Sequence, residues 1–183
     1  GGKRVRTDTA ISRNITSVSQ AAVAMATERL GGLEGRQVLV VGAGEMGEGL
    51  ARALHSGGVA GILVANRTWE RAVDVAESLG GTPVRLDDLP RHLATVDVLL
   101  TSPGASAVIL EHGDLATVVG RRDGRNLLVV DIAVPRDVDP TAGEIDGVTL
   151  LDMDDLRAFA EAGIRERQRE ITAVQAIVDA ELD

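Results

Sequence analysis

The stretch VLVVGAGEMG, residues 38–47, decides the fold of this chain. Its four leading apolar residues predict a buried strand, a G-x-G-x-x-G turn follows, and a helical pattern begins at once. This order predicts a phosphate site for a dinucleotide: Gly42 allows a tight turn, Gly44 leaves room for a pyrophosphate, and Gly47 lets the helix pack close to the strand. The N-terminus of the helix adds N–H groups and a partial positive charge. The candidate cofactor-binding residues of this turn are Gly42, Ala43, Gly44, Glu45, Met46 and Gly47.

A second motif, Asn66-Arg67-Thr68, follows the next apolar run at 62–65. An NAD site usually has Asp or Glu here, roughly 20 residues after the glycines, to accept hydrogen bonds from the ribose hydroxyls. No acid stands at this place, and Arg67 can bind a 2′-phosphate through charge-assisted hydrogen bonds. The motif therefore favours NADP(H) over NAD(H). The alternative is that Arg67 is an ordinary solvated arginine at a strand end.

Apolar runs and helical patterns alternate along the chain with short links, which predicts a doubly wound parallel α/β sheet, a Rossmann-type domain. We expect strands at 37–41, 62–65, 83–86, 97–101, 127–131 and 148–151. We expect helices at 17–30, capped by Ser17, and at 45–56, 68–79 and 87–95.

Two further loops are candidates because the carboxyl ends of parallel strands face the ligand crevice. The loop after the fourth strand is expected to meet the nicotinamide ribose through Ser102, Pro103 and Gly104. The loop after the fifth strand is expected to meet the nicotinamide carboxamide through backbone groups of Asp131, Ile132 and Ala133. For Asp131, a cap or a hydrogen bond within the loop is an equal alternative.

Composition excludes several kinds of chemistry. With no cysteine among 183 residues, the chain has no disulfide, zinc-thiolate site or cysteine nucleophile. The net charge of −9 disfavours nonspecific nucleic-acid binding. We expect the basic cluster of Arg121, Arg122 and Arg125 to be a solvated turn. The three histidines have no ligand spacing, so we predict no metal site and no catalytic dyad.

No apolar run approaches 18 residues and no signal peptide is visible, which predicts a cytoplasmic protein without a membrane span. The last segment carries an apolar row spaced 3, 4 and 4, made of Ile171, Val174, Val178 and Leu182. We interpret it as a long helix that leaves the domain and meets a partner helix. The alternative is that it folds back on its own domain.

Five segments in this order resemble glutamyl-tRNA reductase. They are KRVRTDT at 3–9, SVS with AAV at 17–23, VLVVGAGEMG at 38–47, ANRT at 65–68 and DIAVPRDVDP at 131–140. DIAVPRDVDP is the most specific, since the glycine motif is common to many dehydrogenases. The resemblance implies three parts: a linker segment with a packing helix at 1–30, an NADP-binding domain at 31–151, and the start of a long spinal dimerisation helix at 152–183.

The resemblance also implies an activity. The family reduces glutamyl-tRNA with NADPH to glutamate-1-semialdehyde, which enters tetrapyrrole (porphyrin) biosynthesis. The catalytic cysteine of the family lies in an N-terminal domain that this sequence lacks, so no catalytic residue is assigned and the chain alone is expected to be inactive. The implied partners are glutamyl-tRNA through that domain, a second subunit in a homodimer, and glutamate-1-semialdehyde aminotransferase.

Two alternatives stay open. A shikimate-dehydrogenase-like reductase also places Asn-Arg-Thr after its second strand, and it would need a catalytic Lys and Asp in a preceding substrate domain; DIAVPRDVDP argues against it. A stand-alone NADPH-binding module would sense or scaffold without chemistry. The native sequence upstream of Gly1 would separate the three hypotheses.

Overall fold

The computed structural model describes residues 2–42 and 44–182. The strands are β1 Gln37–Val41, β2 Gly61–Ala65, β3 Thr82–Pro83, β4 Val98–Thr101, β5 Leu127–Asp131 and β6 Val148–Asp152. The helices are α1 Gly2–Leu30, α2 Glu45–Ser56, α3 Trp69–Leu79, α4 Leu89–Leu93, α5 Ala105–His112, α6 Leu115–Val119 and α7 Met153–Leu182. Two 3₁₀ turns lie at Leu86–Asp88 and Pro140–Glu144.

The six strands form one parallel sheet in the order β3-β2-β1-β4-β5-β6. The order reverses between β1 and β4, because the chain first builds outward from β1 to β3 and then returns to the other side of β1. The predicted doubly wound parallel sheet is confirmed.

Two apolar layers cover the sheet, one on each face. On β1, Val38 and Val40 face the layer formed with α1, α2, α3 and the start of α7. Leu39 and Val41 face the layer formed with α4, α5 and α6. A strand alternates its side chains between faces, so burial on both faces requires the unbroken apolar run that the sequence shows.

The first helix is longer than predicted, and Ser17 lies inside it rather than at its cap. The sequence has neither Gly nor Pro between residues 3 and 30, so nothing interrupts the helix before Ser17. The buried positions Val18, Ala22 and Ala26 of α1 belong to the core. The packing against α2 is close: a Cβ on Gly49 would lie 2.7 Å from Cγ2 of Ile15.

The prediction of a solvated basic turn is wrong for Arg122, which is only 1% exposed. Its guanidinium donates to the carbonyl oxygens of Leu93, Arg125 and Asn126 at 2.6, 3.1 and 3.0 Å. Burial lowers the pKa of Arg122. Helix ends and turns leave carbonyl groups without partners, and a guanidinium has enough donors to satisfy several at once.

The first part of α7 packs on the domain. Met153 and Leu156 are buried, and Phe159 and Ala160 lie beside α1, whereas the predicted apolar row is 43–81% exposed from Ile171 to Leu182. The part of the helix that carries this row is therefore not buried against the described part of the domain. Among the helices described for residues 2–42 and 44–182, none combines the length and the apolar character that crossing a bilayer demands.

Candidate functional site

The predicted site residues follow four strands that end at the same level of the sheet. Val41, the last residue of β1, pairs with Ala65 of β2 and Thr101 of β4, and Thr101 pairs with Asp131 of β5. Backbone hydrogen bonds continue this alignment into the loops, since Gly42 N–H donates to the Ala65 carbonyl at 2.9 Å. The glycine turn, the Asn-Arg-Thr motif and both later loops therefore lie along one edge.

The three glycines of the turn have different surroundings. Gly42 has a φ of +102°, and a Cβ there would lie 2.8 Å from Cβ of Ser102. A Cβ on Gly47 would lie 3.2 Å from Ser102 Oγ and 3.3 Å from Ile132 Cδ1. A Cβ on Gly44 would have no atom within 4 Å. Gly42 is thus required by packing and by its positive φ, Gly47 is tightly packed, and Gly44 borders open space; Ala43 lies outside the described residues.

Helix α2 starts at this open space. Gly44 occupies the N-cap position and has no side chain to cap the first N–H groups of the helix, which suits an anion. Met46 is half-buried and packs against the core. Glu45 is exposed, and Glu48 Oε1 lies 3.8 Å from Arg71 Nη2 of α3, so one of the two acids of the first turn has a cationic neighbour.

The Asn66-Arg67-Thr68 segment forms the rim on the β2 side. Asn66 Nδ2 donates to the Thr68 carbonyl at 3.3 Å, and Thr68 sits at the N-cap of α3 without a capping hydrogen bond. Arg67 is half-exposed and donates through Nη1 and Nη2 to both carboxylate oxygens of Glu111, at 3.1 and 3.3 Å. The arginine is therefore held by a carboxylate at the rim of the crevice, in the place where the sequence predicted a phosphate ligand.

Glu111 is a residue that the sequence analysis missed. It lies in the last turn of α5, 44 residues from Arg67. Hydrogen bonds from Arg67 lower the pKa of the Glu111 carboxyl. No spacing signal connects the two residues, and α5 itself was not predicted.

The loop after β4 divides into a buried and an exposed part. Ser102 is 3% exposed because it lies beneath the glycine turn, against Gly42 and Gly47. Pro103 and Gly104 are exposed, and α5 begins directly after them. Ser102 supports the turn, while Pro103 and Gly104 form the part of the loop that is open to a ligand.

Asp131 is fully buried, and its carboxylate organises the loop after β5. Oδ1 accepts from Thr101 Oγ1 at 3.3 Å and from Ala133 N at 3.1 Å, and Oδ2 accepts from the N–H groups of Asp137 and Val138, both at 2.9 Å. Of the two roles considered for Asp131, this geometry favours hydrogen bonding within the loop by its side chain. Ile132 N donates to the Thr101 carbonyl at 3.0 Å, which joins the start of this loop to the end of β4.

No group of three or more His, Asp or Glu that could hold a metal occurs in residues 2–42 and 44–182. Burial lowers the pKa of His92, which lies on α4 away from the glycine turn. The edge of the sheet described above carries glycines, backbone groups, the polar side chains of Asn66, Thr68, Ser102 and Asp131, and the Arg67–Glu111 ion pair.

Comparisons with known proteins agree with this architecture. The family model described as Shikimate / quinate 5-dehydrogenase matches residues 24–159. The glutamyl-tRNA reductase of Desulforudis audaxviator is 45% identical over 181 residues, which cover 99% of this chain and 41% of that protein. The structure of glutamyl-tRNA reductase from Methanopyrus kandleri is 41% identical with a TM-score of 0.78, over 99% of this chain and 46% of that one.

A smaller relative matches over almost its whole length. The nucleotide binding domain of glutamyl-tRNA reductase from Thermoplasma volcanium is 14% identical with a TM-score of 0.54, over 82% of this chain and 96% of that one, and it shares the fold. This chain spans 41% of the length of the first curated relative. The motif-based resemblance to glutamyl-tRNA reductases is confirmed, and the fold is one that binds dinucleotides.

Proposed function

We infer the function from the premise that this chain belongs to the shikimate / quinate 5-dehydrogenase family. Within that family, the relatives that match almost the entire chain at 41–45% identity are glutamyl-tRNA reductases. We propose that the chain is the NADPH-binding domain of a glutamyl-tRNA reductase. The observation that carries the proposal is the alignment of four strand ends, which brings open Gly44 and rim-located Arg67 to one crevice.

In this proposal each part of the crevice holds one part of the cofactor. The turn around Gly44 and the start of α2 hold the pyrophosphate, and Asn66, Arg67 and Thr68 hold the ribose with its 2′-phosphate. The exposed part of the loop after β4, which Ser102 supports, and the carbonyl groups after Asp131 border the nicotinamide half. Bound NADPH supplies a hydride; the residues described here bind and orient it.

The proposal divides the chain into three parts. Residues 1–30 form a linker and packing helix, 31–151 the NADP-binding domain, and 152–183 the start of a spinal helix. The complete enzyme would reduce glutamyl-tRNA to glutamate-1-semialdehyde for porphyrin biosynthesis, as a homodimer in the cytoplasm that passes its product to glutamate-1-semialdehyde aminotransferase. The tRNA and the catalytic cysteine would belong to an N-terminal domain outside this sequence.

Calorimetric titration of the chain with NADPH and with NADH tests the cofactor assignment. We expect NADPH to bind more tightly, and Arg67→Ala to weaken NADPH binding by about 10- to 100-fold while leaving NADH binding nearly unchanged, because only the 2′-phosphate loses its charged partner. Arg91→Ala is the matched control, since Arg91 is also exposed and lies 3.6 Å from a carboxylate, that of Asp88. Equal affinities of the unmutated chain for the two cofactors would refute the NADPH assignment.

A further inference from the structure

We propose that Glu111 is a specificity-determining residue: its carboxylate competes with the 2′-phosphate of the cofactor for Arg67, so that NADPH must displace it. The inference rests on the proposed function of Arg67. It assigns a role to a residue on a different element, whose carboxylate does not itself hold the cofactor.

The position of the ion pair supports the competition. Arg67 follows β2, and Glu111 belongs to α5, which starts beyond the end of β4. In the sheet, β1 lies between β2 and β4, so the pair links the two sides of the edge at which the glycine turn opens. The rim of the crevice therefore carries a carboxylate bound to the same guanidinium that a 2′-phosphate requires.

The guanidinium of Arg67 can bind either the Glu111 carboxylate or a 2′-phosphate in the same way. A guanidinium presents a planar fork that binds a carboxylate or a phosphate through two parallel hydrogen bonds. Glu111 occupies this fork with distances of 3.1 and 3.3 Å. A phosphate that takes the fork must break these bonds, and it then lies near an unpaired carboxylate of the same sign.

The neighbourhood allows the exchange. The side chains of Arg67 and Glu111 are 54% and 55% exposed, so water screens the pair and solvates the carboxylate after it is released. His112 Nε2 lies 4.0 Å from Glu111 Oε2, and His112 Nδ1 lies 3.9 Å from Asp87 Oδ1. NADH has no 2′-phosphate, so its binding leaves the Arg67–Glu111 pair in place.

The test replaces Glu111 by glutamine, which keeps the size of the side chain and removes its charge. Titrations with NADPH, NADH and 2′,5′-ADP measure affinity in the unmutated chain and in Glu111→Gln. We expect NADPH and 2′,5′-ADP to bind about three- to fivefold more tightly to the variant, and NADH to change less than about twofold. In an Arg67→Ala background the same substitution should have no effect.

Asp87→Asn is the control for a general loss of negative charge, because Asp87 lies near His112 and is 98% exposed. An equal gain of NADPH affinity in this control would show bulk electrostatics and overturn the proposal. Unchanged or weaker NADPH binding by Glu111→Gln would also overturn it. Weaker binding would mean that Glu111 orients Arg67 for the phosphate. Failure of the unmutated chain to bind NADPH would instead refute the proposed function itself.

Discussion

At the scale of single residues, the glycine motif combines two separate requirements. Gly42 is needed because its φ is +102° and a Cβ there would lie 2.8 Å from Cβ of Ser102, whereas a Cβ on Gly47 would make tight contacts of 3.2 and 3.3 Å with Ser102 and Ile132. Gly44 borders open space, and its extended backbone, with a φ of 172°, is one that any residue adopts. Neither the packing nor the backbone around Gly44 requires a glycine, and in the proposed function the cofactor does.

This difference predicts opposite effects of two similar substitutions. Gly44→Val should abolish NADPH binding and leave the melting temperature nearly unchanged, because the branched side chain fills the space of the pyrophosphate. Gly47→Val should lower the melting temperature, because its side chain meets Ser102 and Ile132. Calorimetric titration and thermal melting measure both properties. NADPH binding by a normally melting Gly44→Val chain would contradict the placing of the pyrophosphate at this turn.

Asp131 is the second residue whose role the geometry defines. Each oxygen of the Asp131 carboxylate accepts two hydrogen bonds. In an asparagine the NH₂ group would replace one of these oxygens and would face two donors. We expect Asp131→Asn to cost about 2–3 kcal/mol of the free energy of unfolding, since buried donors lose their acceptor. Urea denaturation measures this cost. Asp139→Asn is the control, because Asp139 is exposed and water can replace its hydrogen bonds to Thr141; equal losses in both variants would contradict the prediction.

At the scale of elements, the sequence predicts best where burial on both faces forces a continuous apolar run. The bounds of β1, β5 and α2 agree with the prediction to the residue. The glycine turn fixes the junction between β1 and α2. The strands β1 and β5 consist almost wholly of Val and Leu. Parallel pairing then aligns the strand ends, so the location of the crevice was predictable as well.

Other elements depend on contacts that no local pattern reveals. Helix α5 is eight residues long and five of them are apolar in one run broken only by Ser106, so with buried Ile109 next to Leu110 at 77% exposure it lacks a clear periodic signal. The ion pair of Arg67 with Glu111 requires the position of α5, so the sequence gives no indication of it. Arg122 resembles a surface arginine until the turn around it is placed against the end of α4.

Helix α7 allows a prediction about where the domain ends. Leu156→Ala should cost about 2–5 kcal/mol of unfolding free energy because Leu156 is fully buried. Ile171→Ala, in the same helix, should change it by less than about 0.5 kcal/mol because Ile171 is 63% exposed. Urea denaturation at several protein concentrations measures both values. A large, concentration-independent loss for Ile171→Ala would mean that the apolar row packs on its own domain.

At the scale of the whole molecule, the proposed function implies a separation of cofactor binding from chemistry. The edge of the sheet brings together the groups proposed to hold a dinucleotide, whereas the sequence contains no cysteine to hold an acyl group. Helix α7 carries an exposed apolar row in its C-terminal part. In the proposed enzyme this row would meet the partner subunit, and the acyl-carrying domain would have to close over the crevice from outside this chain.

This separation predicts that the chain alone binds NADPH and leaves glutamyl-tRNA unreduced. In the family that the chain resembles, the glutamyl group is first transferred to a thiolate, because a thioester accepts a hydride more readily than an ester does. The proposed crevice would bind and orient the cofactor, and the sequence has no cysteine to form that thioester. Mixing the chain with glutamyl-tRNA and NADPH should therefore leave the NADPH absorbance constant. Cofactor binding in the same sample, shown by calorimetry, is the control that the chain is intact.

Supplying the proposed cysteine domain as a separate molecule should restore little activity. Hydride transfer needs the reacting atoms about 3–3.5 Å apart in a fixed orientation, and two untethered domains reach that geometry only at the cost of translational and rotational freedom. A continuous protein that contains both domains should be active, and Gly44→Val within it should abolish NADPH oxidation. Formation of glutamate-1-semialdehyde by residues 1–183 alone would overturn both the domain assignment and the attribution of the chemistry to a cysteine that this chain lacks.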